Sequence, residues 1–261
     1  MKITGGDQSV SFGEMKIADG IEVLEISMEK LGNPMVLNLT AVYDGDSAVL
    51  IDTAMPGFYG EIMALLQQIG VQESDLRAII LTHQDIDHIG GLPELLAESG
   101  NELKIYAHAE DKPYIDGEIP FLKFGGERKE GMLQAMPEKR REQFVATFSA
   151  DTPSVITDVL KDGEELPFGG GLLVVHTPGH TPGHACFYHK RSKTLVAADA
   201  MVVANGELHG PNPANTPNRE QAIESLKKLK AFDIDTVICY HGGVYRGDVS
   251  KRIDEIMAST P

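Results

Sequence analysis

The chain has 261 residues, 42% of them apolar, and a formal net charge of −16 at neutral pH. That length can bury a substantial core as one large domain or two small ones, and the composition is that of a soluble globular protein. The acidity argues against nucleic acid as a partner, because a phosphate backbone demands positive charge. It also slows the approach of anionic substrates unless the site itself is positive, and otherwise serves solubility. The two cysteines, Cys186 and Cys239, lie in apolar runs, where buried free thiols and a reducing compartment are expected. Met1 to Gly20 is polar and lacks the charged start and apolar stretch of a signal peptide. No apolar run reaches the length of a membrane span. The expectation is a soluble, cytoplasmic protein without a membrane partner.

In chain order, residues 21–27 form the first expected strand. Residues 35–43 and 47–52 form a hairpin around Asp44-Gly45-Asp46. Residues 58–69 carry Ile62, Leu65, Leu66 and Ile69 on one helical face, and Gly70 stops that helix. A buried strand at 77–81, a helix from Leu92 to Ser99 and a strand from Leu103 to Ala107 follow, an α/β signature. Residues 108–150 differ in kind. They hold Pro113, Pro120 and Pro137, one charged helical piece from Glu127 to Phe144, and scattered Phe and Met. This reads as a helical insertion, either a lid with an apolar wall or a segment glued to the core by those side chains. Strands at 155–157, 159–160, 172–176, 185–188 and 195–198 come next. A helix at 218–231 capped by Asn218, a strand at 236–240 and a helix from Asp248 to Met257 close the chain.

Chemistry concentrates at strand ends. The run Ala78 to Leu81 stops at Thr82-His83-Gln84-Asp85-Ile86-Asp87-His88-Ile89-Gly90-Gly91, which holds four potential metal ligands within six positions. Two imidazoles and two carboxylates this close are costly to bury without partners or a metal; a solvated polar loop is the alternative. A second stretch reads His176-Thr177-Pro178-Gly179-His180-Thr181-Pro182-Gly183-His184. Asp52, Asp199 and His241 each end a further apolar run. Asp52 could equally cap a turn or helix.

This set resembles the metallo-β-lactamase-fold superfamily, over roughly residues 20–250 and with the motifs in the family's order. The resemblance implies an α/β fold, an αββα sandwich in which residues 1–261 form one domain with the insertion at about 108–150. It implies two divalent metal ions, zinc first, with iron or manganese as alternatives. One ion would be held by His83, Asp85 and His180, the other by Asp87, His88 and His241, with Asp199 bridging. Asp52 would orient the ligand loop from behind, and His184 would hold the second loop. The family's usual loop is His-x-His-x-Asp-His, so Asp85 replaces a histidine. With two divalent ions and a hydroxide, three carboxylates then bring the ligand set to zero charge, a poorer Lewis acid. Oxygen ligands also favour harder ions. Flavodiiron oxygen reductases of this superfamily carry a carboxylate there, together with a flavodoxin domain that this chain lacks.

The implied activity is hydrolysis of a small lactone, ester or thioester by a bridging hydroxide, with Asp87 as the catalytic proton carrier. An iron-dependent redox enzyme and a non-catalytic metal-binding module are the alternatives. Aspartate at 199 is similar to glyoxalase II-like and lactonase-like enzymes, where true β-lactamases typically carry cysteine or serine, so β-lactam cleavage is at most a side activity. Lactonases often place a tyrosine three residues on, where this chain has Val202. Tyr240 and Tyr245 could substitute, although a core or rim position suits them better. The chain ends at Pro261 after one helix, which disfavours a glutathione-binding region. His176 reads as a packing or hydrogen-bonding residue. His108, His189 and His209 read as surface or loop residues, with a pocket position open to His209.

Overall fold

Alternation decides which core each strand residue joins. In the strand at 76–80, Ala78 and Ile80 face one apolar cluster while Ile79 between them faces another, as a period of two requires. A computed structural model describes residues 11–30, 33–100 and 102–259. Its first sheet holds seven strands in sequence order: β1 (Ser11–Ala18), β2 (Ile21–Lys30), β3 (Asn33–Asp44), β4 (Ser47–Ile51), β5 (Leu76–Ile80), β6 (Lys104–His108) and β7 (Asp158–Leu160). Pairing is antiparallel from β1 to β4 and parallel from β4 to β7. The second sheet begins with β8 (Glu165–Leu166), β9 (Leu172–His176), β10 (Ala185–His189) and β11 (Thr194–Ala198). A separate hairpin, β12 (Val202–Ala204) with β13 (Glu207–His209), precedes β14 (Thr236–Cys239) and β15 (Gly243–Arg246). The spatial order of this sheet is β15-β14-β11-β10-β9-β8.

Three apolar clusters make the layers. Ile21, Val49, Ile51 and Ile80 of the first sheet meet Val174, Phe187, Val196 and Ile238 of the second, forming the sandwich interior. On the outer face of the first sheet, Leu24, Leu39 and Leu50 pack with α1 (Tyr59–Gln68), a single turn α2 (Ile86–Ile89) and α3 (Leu92–Glu98). Between β6 and β7 come α4 (Lys112–Ile115), α5 (Gly126–Ala135) and α6 (Glu138–Thr147). On the far face of the second sheet, Cys186, Leu195 and Val237 pack with α7 (Arg219–Ser225) and α8 (Val249–Ala258). The result is helix, sheet, sheet, helix, the expected αββα sandwich. No helix among the described residues is long and apolar enough to cross a membrane. Both cysteines are free and buried, and burial pushes the Cys186 thiol up to about 12.

Several boundaries differ from expectation for local reasons. The charged piece 127–144 is two helices, because Pro137 lacks the N–H that a continuing helix needs. Residues 155–157 form no strand; Thr157 instead bonds through its Oγ1 to the Ile105 backbone, 2.9 Å from N. The helix at 218–231 tightens to a 3₁₀ turn from Leu226, although Asn218 caps it as expected. Of the Phe and Met in 108–150, Phe124, Phe144 and Phe148 are buried in the outer core of the first sheet. Strand β1 lies in a segment that reads only as polar.

β4, β5, β9, β11 and β14 all end at one edge of the sandwich, so Asp52, His83, the loop 177–184, Asp199 and His241 meet there. The two sheets are tied at this edge: Ala185 N donates to Thr82 O at 3.0 Å, and Asn38 donates to Tyr240 O from both its backbone N and Nδ2. Gly91 lets the ligand loop close onto the end of β4, since a Cβ there would lie 2.1 Å from Thr53 O. Gly91→Ala should therefore lose about 1–3 kcal/mol through overpacking. Gly60→Ala, with open space around it in α1, should gain stability instead. Thermal unfolding of the two variants beside wild type checks both signs.

Candidate metal centre

The imidazoles at this edge are aimed before any ion arrives. Asp52 accepts from Thr82 N at 2.8 Å and Thr82 Oγ1 at 2.8 Å, so its carboxylate is fixed by the strand end. It takes the Nδ1 proton of His88 at 2.7 Å. Thr82 Oγ1, its own proton given to Asp52, accepts from Nδ1 of His83 at 2.9 Å. Thr216 Oγ1, donating to Asn212 O at 2.7 Å, accepts from Nδ1 of His180 at 3.1 Å. Each of the three rings therefore turns its Nε2 to the same space. A ligating histidine needs this support on its other nitrogen.

The ligand atoms are spaced for ions. A tetrahedral ion with bonds of about 2.0–2.1 Å keeps its ligand atoms about 3.3 Å apart. His83 Nε2 lies 3.3 Å from Asp85 Oδ2, which lies 3.1 Å from His180 Nε2, which in turn lies 3.3 Å from Asp199 Oδ2. On the other side His88 Nε2 is 3.4 Å from Asp199 Oδ1, and His241 Nε2 is 3.3 Å from Asp87 Oδ2 and 3.6 Å from Asp199 Oδ2. The residues fall into two groups, His83-Asp85-His180-Asp199 and Asp87-His88-His241, with Asp199 facing both. His83 Nε2, His88 Nε2 and Asp199 Oδ1 are buried and have no hydrogen-bond partner. Orphaned buried polar atoms are costly, and a divalent cation would satisfy all three. The donor set of four imidazoles and three carboxylates fits such ions.

Charge follows the same layout. Burial and the neighbouring imidazoles push His83 far down, so it stays a neutral ligand. Burial opposes charge on His88, but Asp52 and Asp199 outweigh it and hold its pKa well up. Burial also works against the Asp85 carboxylate, but the His180 contact and the Lys123 ammonium hold it at about 2. Asp85, Asp87, Asp199 and His241 open onto a cavity of about 260 Å³, whose other walls include Met35, Phe124, Arg128, Asn212 and Asn215.

Several parts of the site escape sequence reading. Asp111 is fully buried and ties the two ligand loops together. It accepts from Gln84 N at 2.9 Å, Thr181 Oγ1 at 2.7 Å and Gly183 N at 2.8 Å. Gln84, inside the motif, is a strut whose Oε1 accepts from Leu122 N at 2.8 Å. Thr216 and Lys123 carry no local signal at all. His184 turns away from the centre: its Nε2 accepts from Asp199 N at 3.2 Å and its Nδ1 meets Thr177 Oγ1 at 2.9 Å. Tyr240 is a core residue, its ring tilted 31° against His88 with centroids 3.8 Å apart, and it donates to Asp87 O at 2.6 Å. Tyr245 packs on the outer core of the second sheet.

Two histidine expectations are corrected. His189 is fully buried, not on the surface, with its ring nitrogens on Gly169 O and Ser192 Oγ, each at 2.7 Å. His108 is also buried, stacked on His176 with centroids 3.8 Å apart. His108, Glu110 and His176 form a third group of ligand types, but near-parallel rings do not converge their lone pairs on one ion. His209 is exposed and lines a separate cavity of about 460 Å³ that contains none of the ligand set.

Fold and site together define a metallo-β-lactamase-type protein. The family model of the metallo-beta-lactamase superfamily matches residues 32–241, and the chain belongs to that superfamily. It is 31% identical over 207 residues, 75% of each chain, to the probable metallo-hydrolase YflN of Bacillus subtilis (strain 168). It is 31% identical over 206 residues to a hydroxyacylglutathione hydrolase of Cupriavidus taiwanensis, covering 77% of this chain and 61% of that protein. A metallo-beta-lactamase family protein from Thermus thermophilus superposes with a TM-score of 0.68 at 25% identity, over 93% of this chain and 80% of that one. A flavoprotein from Thermotoga maritima shares the fold, with a TM-score of 0.68 at 20% identity over 95% of this chain and 61% of that one.

Asp52→Asn tests the support behind His88. It should weaken zinc binding about 10–100-fold while the Nε2 ligands themselves are intact. Competition against a chromophoric chelator measures it.

Proposed function

We propose that this chain is a dinuclear metal-dependent hydrolase that opens a small lactone, ester or thioester. The observation that carries the reading is the set of three buried atoms without a hydrogen-bond partner among the described residues, His83 Nε2, His88 Nε2 and Asp199 Oδ1, beside the cavity that Asp85, Asp87, Asp199 and His241 line. His83, Asp85 and His180 would hold one ion and Asp87, His88 and His241 the other, with Asp199 facing both positions. Such ions supply Lewis acidity and a hydroxide nucleophile at neutral pH. The chain's own residues do the rest. Asp52, Thr82 and Thr216 accept the Nδ1 hydrogens and fix the imidazoles in direction, with each Nε2 turned toward the centre. Asp87 lines the cavity, and its carboxylate takes the nucleophile's proton and returns it to the leaving group. Phe124 and Met35 offer the acyl portion an apolar wall and limit water. We read residues 108–150 as an insertion in a single domain, serving both as packing and as this wall.

The names of the relatives support hydrolysis and leave the substrate to experiment. A second reading, iron-dependent redox chemistry, draws on the three carboxylates, which suit harder ions. A colourless zinc-loaded protein that hydrolyses an ester rules that reading out.

The test is turnover on a panel of lactones, esters and thioesters. Chelation should abolish activity and zinc should restore it. Asp87→Ala should lower kcat about 10²–10⁴-fold with an unchanged circular dichroism spectrum. Wild-type turnover in that variant would sink the mechanism.

A further inference from the structure

A lysine from the segment between β6 and β7 sits inside the ligand set. Lys123 lies in the loop before α5, with its side chain 18% exposed. Its Nζ ion-pairs with Asp85 Oδ2 and donates to His180 Nε2 at 2.7 Å. It also meets His180 O at 3.2 Å and Asn215 O at 3.1 Å. An ammonium has three protons and no lone pair, so four acceptors compete for three donors. His180 commits its Nδ1 proton to Thr216, which leaves Nε2 with a single lone pair. That lone pair and Asp85 Oδ2 are also the pair, 3.1 Å apart, that fits the first ion.

We propose that Lys123 is an internal counter-cation of the first metal position, competing with the ion there for Asp85 and His180, so that the two positions fill with unequal affinity. The proposal rests on the two-ion reading of the centre and names one residue that tunes it. One lone pair cannot serve an ammonium proton and a metal ion together, and a cation beside the position repels a second cation. No lysine or arginine pairs with Asp87 among the described residues, so the second position carries no such competitor. When the first ion enters, the ammonium gives up His180 Nε2 but retains the two carbonyls of His180 and Asn215. Lys123 thus balances a three-carboxylate centre at low metal and yields to the ion at high metal. Because Leu122 N is held by Gln84 Oε1, the loop that carries the lysine is anchored to the ligand motif itself.

The test is zinc titration of the full chain, stripped by chelator and competed against a chromophoric indicator. Wild type should bind one zinc tightly and a second at least tenfold more weakly. Lys123→Met and Lys123→Gln, both neutral, should raise the weaker affinity at least tenfold. Lys123→Arg, which keeps the charge, should preserve the inequality. Melting curves of the metal-free variants establish that each is folded, and two neutral replacements guard against one failing. An unchanged or weaker second affinity in the neutral variants overturns the proposal while leaving the centre standing. Zinc binding by neither wild type nor variants overturns the centre itself.

Discussion

The structure depends on where three protons sit. The Nδ1 hydrogens of His83, His88 and His180 are held by Thr82, Asp52 and Thr216, and every Nε2 consequently faces one small volume. Rings free to flip would present protons to that volume half the time and repel a cation. Asp52 and Thr82 belong to the ends of adjacent parallel strands, the stiffest backbone available, and Asp52 adopts a positive φ of 64° to bring its carboxylate across. A non-glycine residue in that region is uncommon, and the bonds from Thr82 and His88 hold it there.

The centre also explains why the sandwich closes as it does. Seven candidate ligands from both sheets must stay within ångströms of one another, although three are carboxylates that repel. Buried like charges persist only with compensation. Here it comes from imidazole contacts and from the Lys123 ammonium. Cross-sheet bonds at the same edge, from Asn38 to Tyr240 O and from Ala185 N to Thr82 O, keep the halves from sliding. Glycine at 91 and at 242, where a Cβ would fall 1.8 Å from Val203 O, allows the loops to pack that closely.

Much of this is legible in the sequence because strand ends are local signals. An apolar run that stops at His or Asp announces both an element and a candidate ligand, and the resemblance assigns the pairs. The supports are harder to read. Asp111 lies between Glu110 and Lys112 in a stretch that resembles any helix start, and Thr216 sits in Asn-Thr-Pro like an ordinary turn residue. Lys123 is one cation in a charged segment. Each acts only through tertiary proximity, which no periodicity encodes. The same holds for His189, whose burial follows from a bond to Gly169 twenty positions away. The single helix expected at 127–144 gives way to two for a reason the sequence does contain: the missing N–H of Pro137 outweighs the helical pattern around it.

The most direct measurement is anomalous scattering from crystals soaked in excess zinc. Two peaks about 3.5–4 Å apart are expected, one bonded to His83, Asp85 and His180, the other to Asp87, His88 and His241, with Asp199 touching both. A single peak, or zinc bound away from these side chains, would contradict the two-ion centre.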